Sequence, residues 1–194
     1  GYLNGKEGAE QLKVAAPYGE YIFDYFFVGK RQPLSRRSLF WNDLNYMVFY
    51  INQVQRQDPD PEMVSYFRSL KPEYVVRLKG IDYAWVYRVV KPLPTDLIPN
   101  QGAERTTLGD DILFLGYEGD TNYAREEGKL KIDLYWQALR AMDGDYIVYL
   151  KLINGAYHVW GQQEGRPAWG SFPTNRWKEG EVVGDRREIE ILPG

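Results

Sequence analysis

Cysteine is absent from this chain of 194 residues, and histidine occurs once, as His158. Without cysteine the chain has no disulfide, no thiol nucleophile and no thiolate metal site. One histidine also excludes a zinc site built on several histidines. The sequence therefore predicts no catalytic residue, no metal site and no cofactor.

Two further features are lacking, an excess of basic residues and a long apolar run. Lys and Arg number 24 against 27 Asp and Glu, which gives a net charge of −3 and argues against a nucleic-acid partner. The longest apolar runs fall far short of the ~20 residues that span a bilayer. No segment has the pattern of a signal peptide.

Aromatic residues, in contrast, are abundant, with 16 Tyr and 6 Trp. Tyr and Trp favour strands because their side chains pack well on a pleated surface. They also suit surfaces that contact ligands, because each combines apolar area with a polar group. Both interpretations stay open from composition alone.

The first region, residues 1–91, predicts a small α/β domain within a chain that is α+β overall. The continuous apolar run at 46–51 is typical of a strand buried on both faces. Asp60 and Pro61 are suitable N-cap and first residues for a helix that ends before Pro72. The other expected elements are a strand at 12–16, a short helix at 20–27, and a hairpin of strands at 74–78 and 83–89.

Residues 92–107 are rich in Pro and predict a linker. The region after it, residues 108–194, predicts an antiparallel β-sandwich of jelly-roll or Ig-like type, with no helix. Residues 129–139 alternate between apolar and polar over their whole length, as do 148–152, and Asn154-Gly155 indicates a hairpin turn. Glycine-rich stretches at 116–119 and 161–170 are expected to separate strands.

The clusters of charged residues do not favour a catalytic or ligand-binding site. The pairs Asp110-Asp111 and Asp143-Gly-Asp145 favour turns over the two separated carboxylates of a glycosidase. The basic stretch 30–37 favours a solvated loop over contact with anionic headgroups or a phosphate-bearing substrate.

Tyr149 and residues around 160–169 form the most suggestive set. Tyr149 lies on the polar side of its predicted strand, and Trp160 and Trp169 flank polar residues. Sugars stack on flat aromatic rings, and Gln162 and Glu164 offer groups that bond hydroxyls. A carbohydrate site here is a hypothesis, and packing of the loops and sandwich ends is the interpretation that the sequence favours for the Trp side chains.

Several stretches resemble a known family. In the first region they are residues 2–4, 26–29, 50–56, 66–67 and 76–87; in the second they are 113–117, 134–138, 145–146, 173–174, 177, 180–185 and 192–193. The runs Ile-Asn-Gln-Val-Gln-Arg at 51–56 and Lys-Gly-Ile-Asp-Tyr-Ala-Trp at 79–85 are the most specific. The chain resembles the C-terminal extracytoplasmic region of bacterial membrane glycosyltransferases, which are related to the dolichyl-phosphate-mannose protein mannosyltransferase family.

The resemblance implies a parent enzyme that moves a sugar from a polyprenyl-phosphate carrier to an acceptor outside the cytoplasm. Its catalytic acidic residues belong to an upstream membrane domain, which would be the partner of this soluble fragment. A glycan, or the complex of polyprenyl-phosphate sugar and acceptor, is the other implied partner. The alternatives are a free-standing carbohydrate-binding sandwich and an adhesion sandwich of a secreted protein.

Overall fold

The chain forms two compact units that together mix α and β structure. The computed structural model describes residues 1–17, 23–40, 44–101 and 104–192, apart from the side chain of Trp169. Over these residues the chain forms eleven strands and five α-helices. Unit 1 is Gly1–Leu93 and unit 2 is Pro94–Gly194. In the described part of the chain, none of the helices has both the length and the apolar character that crossing a membrane requires.

Unit 1 is built around a five-stranded mixed sheet. Its strands are β1 (Lys13–Ala16), β2 (Lys30–Pro33), β3 (Tyr46–Tyr50), β4 (Tyr74–Leu78) and β5 (Ile81–Arg88). The α-helices are α1 (Phe23–Phe26), α2 (Arg36–Leu39), α3 (Ile51–Arg56) and α4 (Pro61–Ser69). The order across the sheet is β2-β1-β3-β5-β4, with β1 parallel to β2 and β3, and β5 antiparallel to β3 and β4. The strands predicted in this region are confirmed, and of the helix expected at 20–27 the part before Phe23 lies outside the described residues.

β3 is buried on both faces, as its continuous apolar sequence predicts. On one face Val48 joins a core with Val14 and Val86. On the other, the Phe49 ring lies 5.5 Å from the ring of Phe67 on α4. β3 therefore holds together two apolar layers.

The sequence correctly predicts both ends of α4. The Asp60 side chain accepts a hydrogen bond from the Met63 backbone N–H at 2.9 Å, and Pro61 is the first helical residue. β2, in contrast, was not expected, because its residues lie in the basic stretch 30–37. A charged strand with a Pro suits the edge of a sheet, which is where β2 lies.

The boundary between the units falls inside the predicted linker, between Leu93 and Pro94. The linker prediction needs correction, because Leu97 and Ile98 are buried and Thr95–Leu97 forms a 3-10 helix. Residues 94–107 therefore belong mostly to unit 2. Proline-rich composition does not distinguish an ordered covering segment from a linker.

Unit 2 contains a four-stranded antiparallel sheet and a two-stranded antiparallel ribbon. Its elements are β6 (Thr106–Leu108), β7 (Ile112–Asp120), α5 (Thr121–Glu127), β8 (Lys129–Ala138), β9 (Val148–Ile153), β10 (Val159–Gly165) and β11 (Val182–Glu190). The sheet has the order β11-β8-β7-β6, and β9 pairs with β10. Val148 and Leu150 of the ribbon pack on a core that includes Trp136, Trp177 and Val183.

The strand predicted at 129–139 is confirmed as β8. The prediction that its polar face is exposed to solvent is wrong in part. Asp133 and Tyr135 are both buried, although they alternate with the core residues Leu134 and Trp136. Asp133 accepts a hydrogen bond from Arg186 Nε on the paired strand β11 at 3.0 Å. Alternation predicts which residues share a face, but it does not reveal whether the polar face is covered.

The glycine-rich stretch 116–119 lies inside β7, whereas the stretch 161–170 begins inside β10 and continues past its end at Gly165. Gly116 has φ 142° at a register shift in β7, a backbone conformation that suits glycine. Gly161 lies in β10, where a Cβ would collide with the carbonyl oxygen of Glu190 on β11. Gly116 and Gly161 serve a bulge and a close approach of backbones, which explains why the chain continues as a strand at both positions. The break expected at 116–119 is therefore wrong, whereas the stretch 161–170 does include the end of β10.

α5 corrects the expectation that the second region has no helix. The helix begins at an N-cap, where the Asp120 side chain accepts a hydrogen bond from the Tyr123 N–H at 2.9 Å. It ends at Gly128, which has a left-handed backbone conformation. None of its residues is buried, so the helix has no apolar period for the sequence to display.

Arg187 connects the ribbon to the sheet from inside the core of unit 2. Its Nε donates to both carboxylate oxygens of Asp185, at 3.0 and 2.9 Å. Its two Nη atoms donate to Gln163 Oε1 and to the carbonyl oxygens of Gly165 and Arg166. The guanidinium is 1% exposed and satisfied on every side, so it fixes the end of β10 against β11.

Candidate functional site

The outer face of the β9–β10 ribbon brings together three of the predicted carbohydrate-binding residues. Tyr149 lies directly opposite Glu164, and Gln162 lies opposite Lys151. The Tyr149 hydroxyl donates to Gln162 Oε1 at 2.9 Å, which fixes the orientation of its ring. Because Tyr149, Gln162 and Glu164 are all exposed, this face presents an aromatic ring beside hydrogen-bonding groups.

Trp160 is less available to this face, and the side chain of Trp169 lies outside the described part of the structure. Trp160 is half-buried at the register shift of β10, and its ring lies 5.0 Å from the His158 ring in an edge-to-face arrangement. Trp169 belongs to the 3-10 helix Pro167–Gly170. The structure therefore brings three of the five predicted residues onto one face, whereas Trp160 packs against the hairpin loop.

The hairpin loop that contains His158 is wider than the predicted two-residue turn. The Asn154 side chain accepts from the backbone N–H groups of Ala156 and His158, each at 3.0 Å. Tyr157, with φ 61°, provides the left-handed residue that Gly155 was expected to provide. Asn154 is thus the residue that organises the turn.

A half-open groove of about 470 Å³ lies beside Tyr149 in unit 2. This volume falls in the range of about 300–1,000 Å³ that is typical of small-molecule sites. The buried side chains of Ile112, Trp136 and Trp177 line its apolar part, whereas Tyr146 and Tyr149 are exposed at it. Tyr149 therefore belongs both to the groove and to the outer face of the ribbon.

Asp111 provides a carboxylate at the same groove. Its Oδ2 accepts a hydrogen bond from the Tyr146 hydroxyl at 2.7 Å, and its Oδ1 accepts from Arg140 Nε. The Tyr146 hydrogen bond, assisted by Arg140, lowers the pKa of Asp111 below its ordinary value. An ionised carboxylate of this kind accepts hydrogen bonds from hydroxyl groups, and it is a poor general acid.

The sequence missed Asp111 and Tyr146 as members of a site. Asp111 resembles any aspartate in a turn before a strand, and residues 111 and 146 are far apart in the chain. Tyr146 is further fixed by its backbone N–H, which donates to Thr174 Oγ1 at 2.7 Å. Only the packing of β7 beside the segment before β9 brings the two side chains together.

The other charged clusters noted in the sequence, Asp143-Gly-Asp145 and the basic stretch 30–37, contain residues that form ion pairs. Asp145 pairs with Arg166, and Arg31 pairs with Asp24. Arg36 pairs with both Asp60 and Glu62. In the described residues no group of three or more His, Cys, Asp or Glu side chains is arranged to hold a metal ion.

Comparisons with protein-family models, with curated proteins and with solved structures found no match to this chain.

Proposed function

We propose that this chain is a non-catalytic extracytoplasmic region of a polytopic membrane glycosyltransferase, and that unit 2 helps to bind the acceptor or its sugar. The observation that carries the proposal is the groove that Tyr149 lines together with Tyr146 and Asp111, where the Tyr146 hydroxyl donates to the Asp111 carboxylate. The link to a glycosyltransferase is supported by the sequence motifs in both units. Catalysis is assigned to an upstream membrane domain, which is the expected partner.

The chemistry of the groove suits a sugar. Aromatic rings stack against the apolar faces of pyranose rings, and ionised carboxylates accept hydrogen bonds from hydroxyl groups. Tyr149 and Asp111 provide one group of each kind, and the Trp136 and Trp177 side chains exclude water from the apolar part of the groove. A glycan acceptor, or the sugar of a polyprenyl-phosphate carrier, is the proposed ligand.

The architecture we propose for unit 2 is a β-sandwich of jelly-roll or Ig-like type. The support is that Val148 and Leu150 of the ribbon share one core with Trp136 and Val183 of the sheet. In a sandwich the inner faces of two sheets interdigitate in this way. The groove would then lie where the open edge of the smaller sheet leaves the core accessible.

A free-standing carbohydrate-binding sandwich is the second candidate, and one observation favours it. Among the described residues, all those that line the groove belong to unit 2, as expected of a binding domain that works without a membrane domain. The gene upstream of Gly1 separates the two candidates. Several apolar segments of ~20 residues there would support the glycosyltransferase, whereas a signal peptide alone would contradict it.

Sugar binding is tested by titrating the chain with monosaccharides and with the glycans of an array, followed through tryptophan fluorescence. Trp136 and Trp177 at the groove make emission sensitive to a bound ligand. We expect Tyr149→Ala to weaken binding about fivefold, since an aromatic contact contributes on the order of 1 kcal/mol. Tyr157→Ala is the matched control, because Tyr157 is exposed on the hairpin loop away from the groove. The absence of any response to sugars, or equal affinities of both variants, would contradict the proposal.

A further inference from the structure

Strand β9 of unit 2 has one open edge. It pairs with β10 on one side, and among the residues that the structure describes no backbone group pairs with it on the other side. In an antiparallel pair every second residue points its N–H and C=O groups away from the partner strand. Over its six residues, Val148–Ile153, β9 therefore presents a row of backbone donors and acceptors that another strand can use.

The sequence of β9 does little to protect this edge. Proteins commonly protect an edge strand with proline, with several charges or by making the strand very short. β9 contains no proline and a single charged residue, Lys151. Its core-facing side chains Val148, Leu150 and Leu152 are only half-buried, although the first two pack on the core of unit 2. The strand is therefore accessible at its side chains as well as at its backbone.

The core face of the four-stranded sheet is also open next to β9. Leu108 of β6 lies directly opposite Ile112 of β7, so the two side chains share one face of the sheet. Ile112 is buried in the core, whereas Leu108 on the same face is 50% exposed. Both residues line the groove of about 470 Å³ that Val148 and Leu150 also line. The open edge of β9 and the exposed core face at β6 therefore meet at one groove.

The space beside β9 has the size of one added strand. Strands in a sheet lie ~4.8 Å apart, packed layers lie ~10 Å apart, and each residue lengthens a strand by ~3.3 Å. One residue of an added strand thus occupies roughly 160 Å³, so the groove has room for about three residues. A symmetric pair of β9 strands from two copies does not fit, because the copy's β6 would lie beneath β9, where Ile112 and Trp136 already pack.

The outer face of β9 indicates which side chains an added strand presents. Lys151 projects from this face, with its Nζ 5.2 Å from the centre of the Tyr149 ring. Its neighbour across the ribbon, Gln162 on β10, is neutral. An acidic side chain opposite Lys151 on the added strand is therefore favourable, since opposite charges on directly facing strand residues stabilise the pair. On the other face of the added strand, apolar side chains match the groove.

We propose that unit 2 binds an extended peptide segment of a partner protein, which adds to the ribbon as a strand beside β9. The peptide alternates apolar residues, which enter the groove and cover Leu108, with acidic residues, which lie beside Lys151. Backbone hydrogen bonds along β9 hold the peptide, and the alternating side chains select it. This inference does not rest on sugar binding, which uses the Tyr149 ring and the Asp111 carboxylate. Since a sugar and a peptide would exclude each other from the groove, each is titrated alone.

The test titrates the full chain with a dye-labelled peptide, Thr-Val-Glu-Val-Glu-Val-Thr with blocked ends, and follows fluorescence anisotropy. We expect saturable binding. The same peptide with N-methylated backbone amides is expected to lose binding, because it has no N–H groups to donate to β9. A peptide with Lys in place of Glu is expected to bind roughly fivefold more weakly, and Lys151→Glu is expected to reverse the order of the two affinities.

Leu108→Ser tests the groove side of the added strand. It is expected to weaken peptide binding about fivefold, because the valine side chains lose part of their apolar contact. Leu192→Ser is the matched control, since Leu192 is 51% exposed in unit 2 and does not line the groove. Unchanged circular dichroism of both variants verifies that the fold is intact.

Hydrogen exchange measured by NMR locates the bound peptide. Every second backbone amide of β9 is expected to exchange more slowly when the peptide is present, whereas the amides of β2, the edge strand of unit 1, are not. Absence of binding by the Val-Glu peptide, or equal binding of its N-methylated form, would overturn the proposal. So would peptide-dependent protection at β2 in place of β9, or a dimer of the chain, detected by sedimentation, in which the same β9 amides are protected.

Discussion

The carboxyl group of Asp111 is controlled by two neighbours, the hydroxyl of Tyr146 and the guanidinium of Arg140. Both favour the ionised form, the Tyr146 hydrogen bond more strongly. The same contact raises the pKa of Tyr146, because its proton is held by the carboxylate. The pair is therefore a fixed acceptor with its donor, rather than two groups that exchange a proton at neutral pH.

Tyr146→Phe is expected to raise the pKa of Asp111 toward its ordinary value of 3.8. A carboxyl group whose folded-state pKa is lowered stabilises the fold fully above that ordinary value, and the contribution is lost as the pH falls through the lowered pKa. Without the hydroxyl the contribution is smaller, and its loss is complete at a higher pH. A carboxyl ¹³C NMR titration of Asp111 measures the shift directly. Tyr149→Phe, which retains the ring and leaves Asp111 untouched, is the control, and an unmoved midpoint in Tyr146→Phe would contradict the assignment.

Helix α4 depends at the element scale on its N-cap. Asp60→Ala is expected to destabilise unit 1 by about 1 kcal/mol, because the Met63 N–H loses its acceptor. Asp60 also pairs with Arg36, so Asp60→Asn separates the two effects by keeping the cap and removing the charge. Urea unfolding followed by circular dichroism measures both variants. If Asp60→Asn is as unstable as Asp60→Ala, the ion pair and not the cap is responsible.

The attachment of the ribbon to the sheet depends on Arg187. Arg187→Met is expected to destabilise unit 2 by about 3–5 kcal/mol, because it leaves Asp185 buried without its cation. The double variant Arg187→Met, Asp185→Leu is expected to recover part of the loss, since no charge is then left in the core. Arg176→Met, at an exposed position, is the control. Chemical denaturation measures the stability of all three variants. A loss of unfolding free energy below about 1 kcal/mol in Arg187→Met would contradict the proposed role of Arg187 in holding the ribbon to the sheet.

Each unit has a hydrophobic core of its own. One is centred on Val14, Val48 and Val86, and the other on Leu134, Trp136 and Val183. At the scale of the whole molecule we expect residues 94–194, expressed alone, to fold and to retain the groove. Dispersed methyl resonances and an unchanged sugar titration would confirm this. Loss of the fold in the fragment would show that unit 2 requires unit 1.

Local patterns predicted much of the element content. The apolar run of β3, the Asp60-Pro61 start of α4 and the alternation of β8 each depend on neighbours close in sequence, and the structure confirms all three. β2 and α5 were missed because neither has an apolar period, one being a charged edge strand and the other a helix with no buried residue. The exposure of Tyr149 was predictable because β9, like β8, alternates between apolar and polar residues.

The sequence by itself determined the composition limits, the apolar run of β3 and the exposed side of the β9 strand. These follow from residue chemistry and from the fixed period of strands and helices. Tertiary structure alone decided that Asp111 meets Tyr146, that Arg187 enters the core and that Leu108 lies at one groove with Val148. Contacts between residues dozens of positions apart depend on strand order and register, and these are set by packing of the whole unit, which no short stretch of sequence encodes.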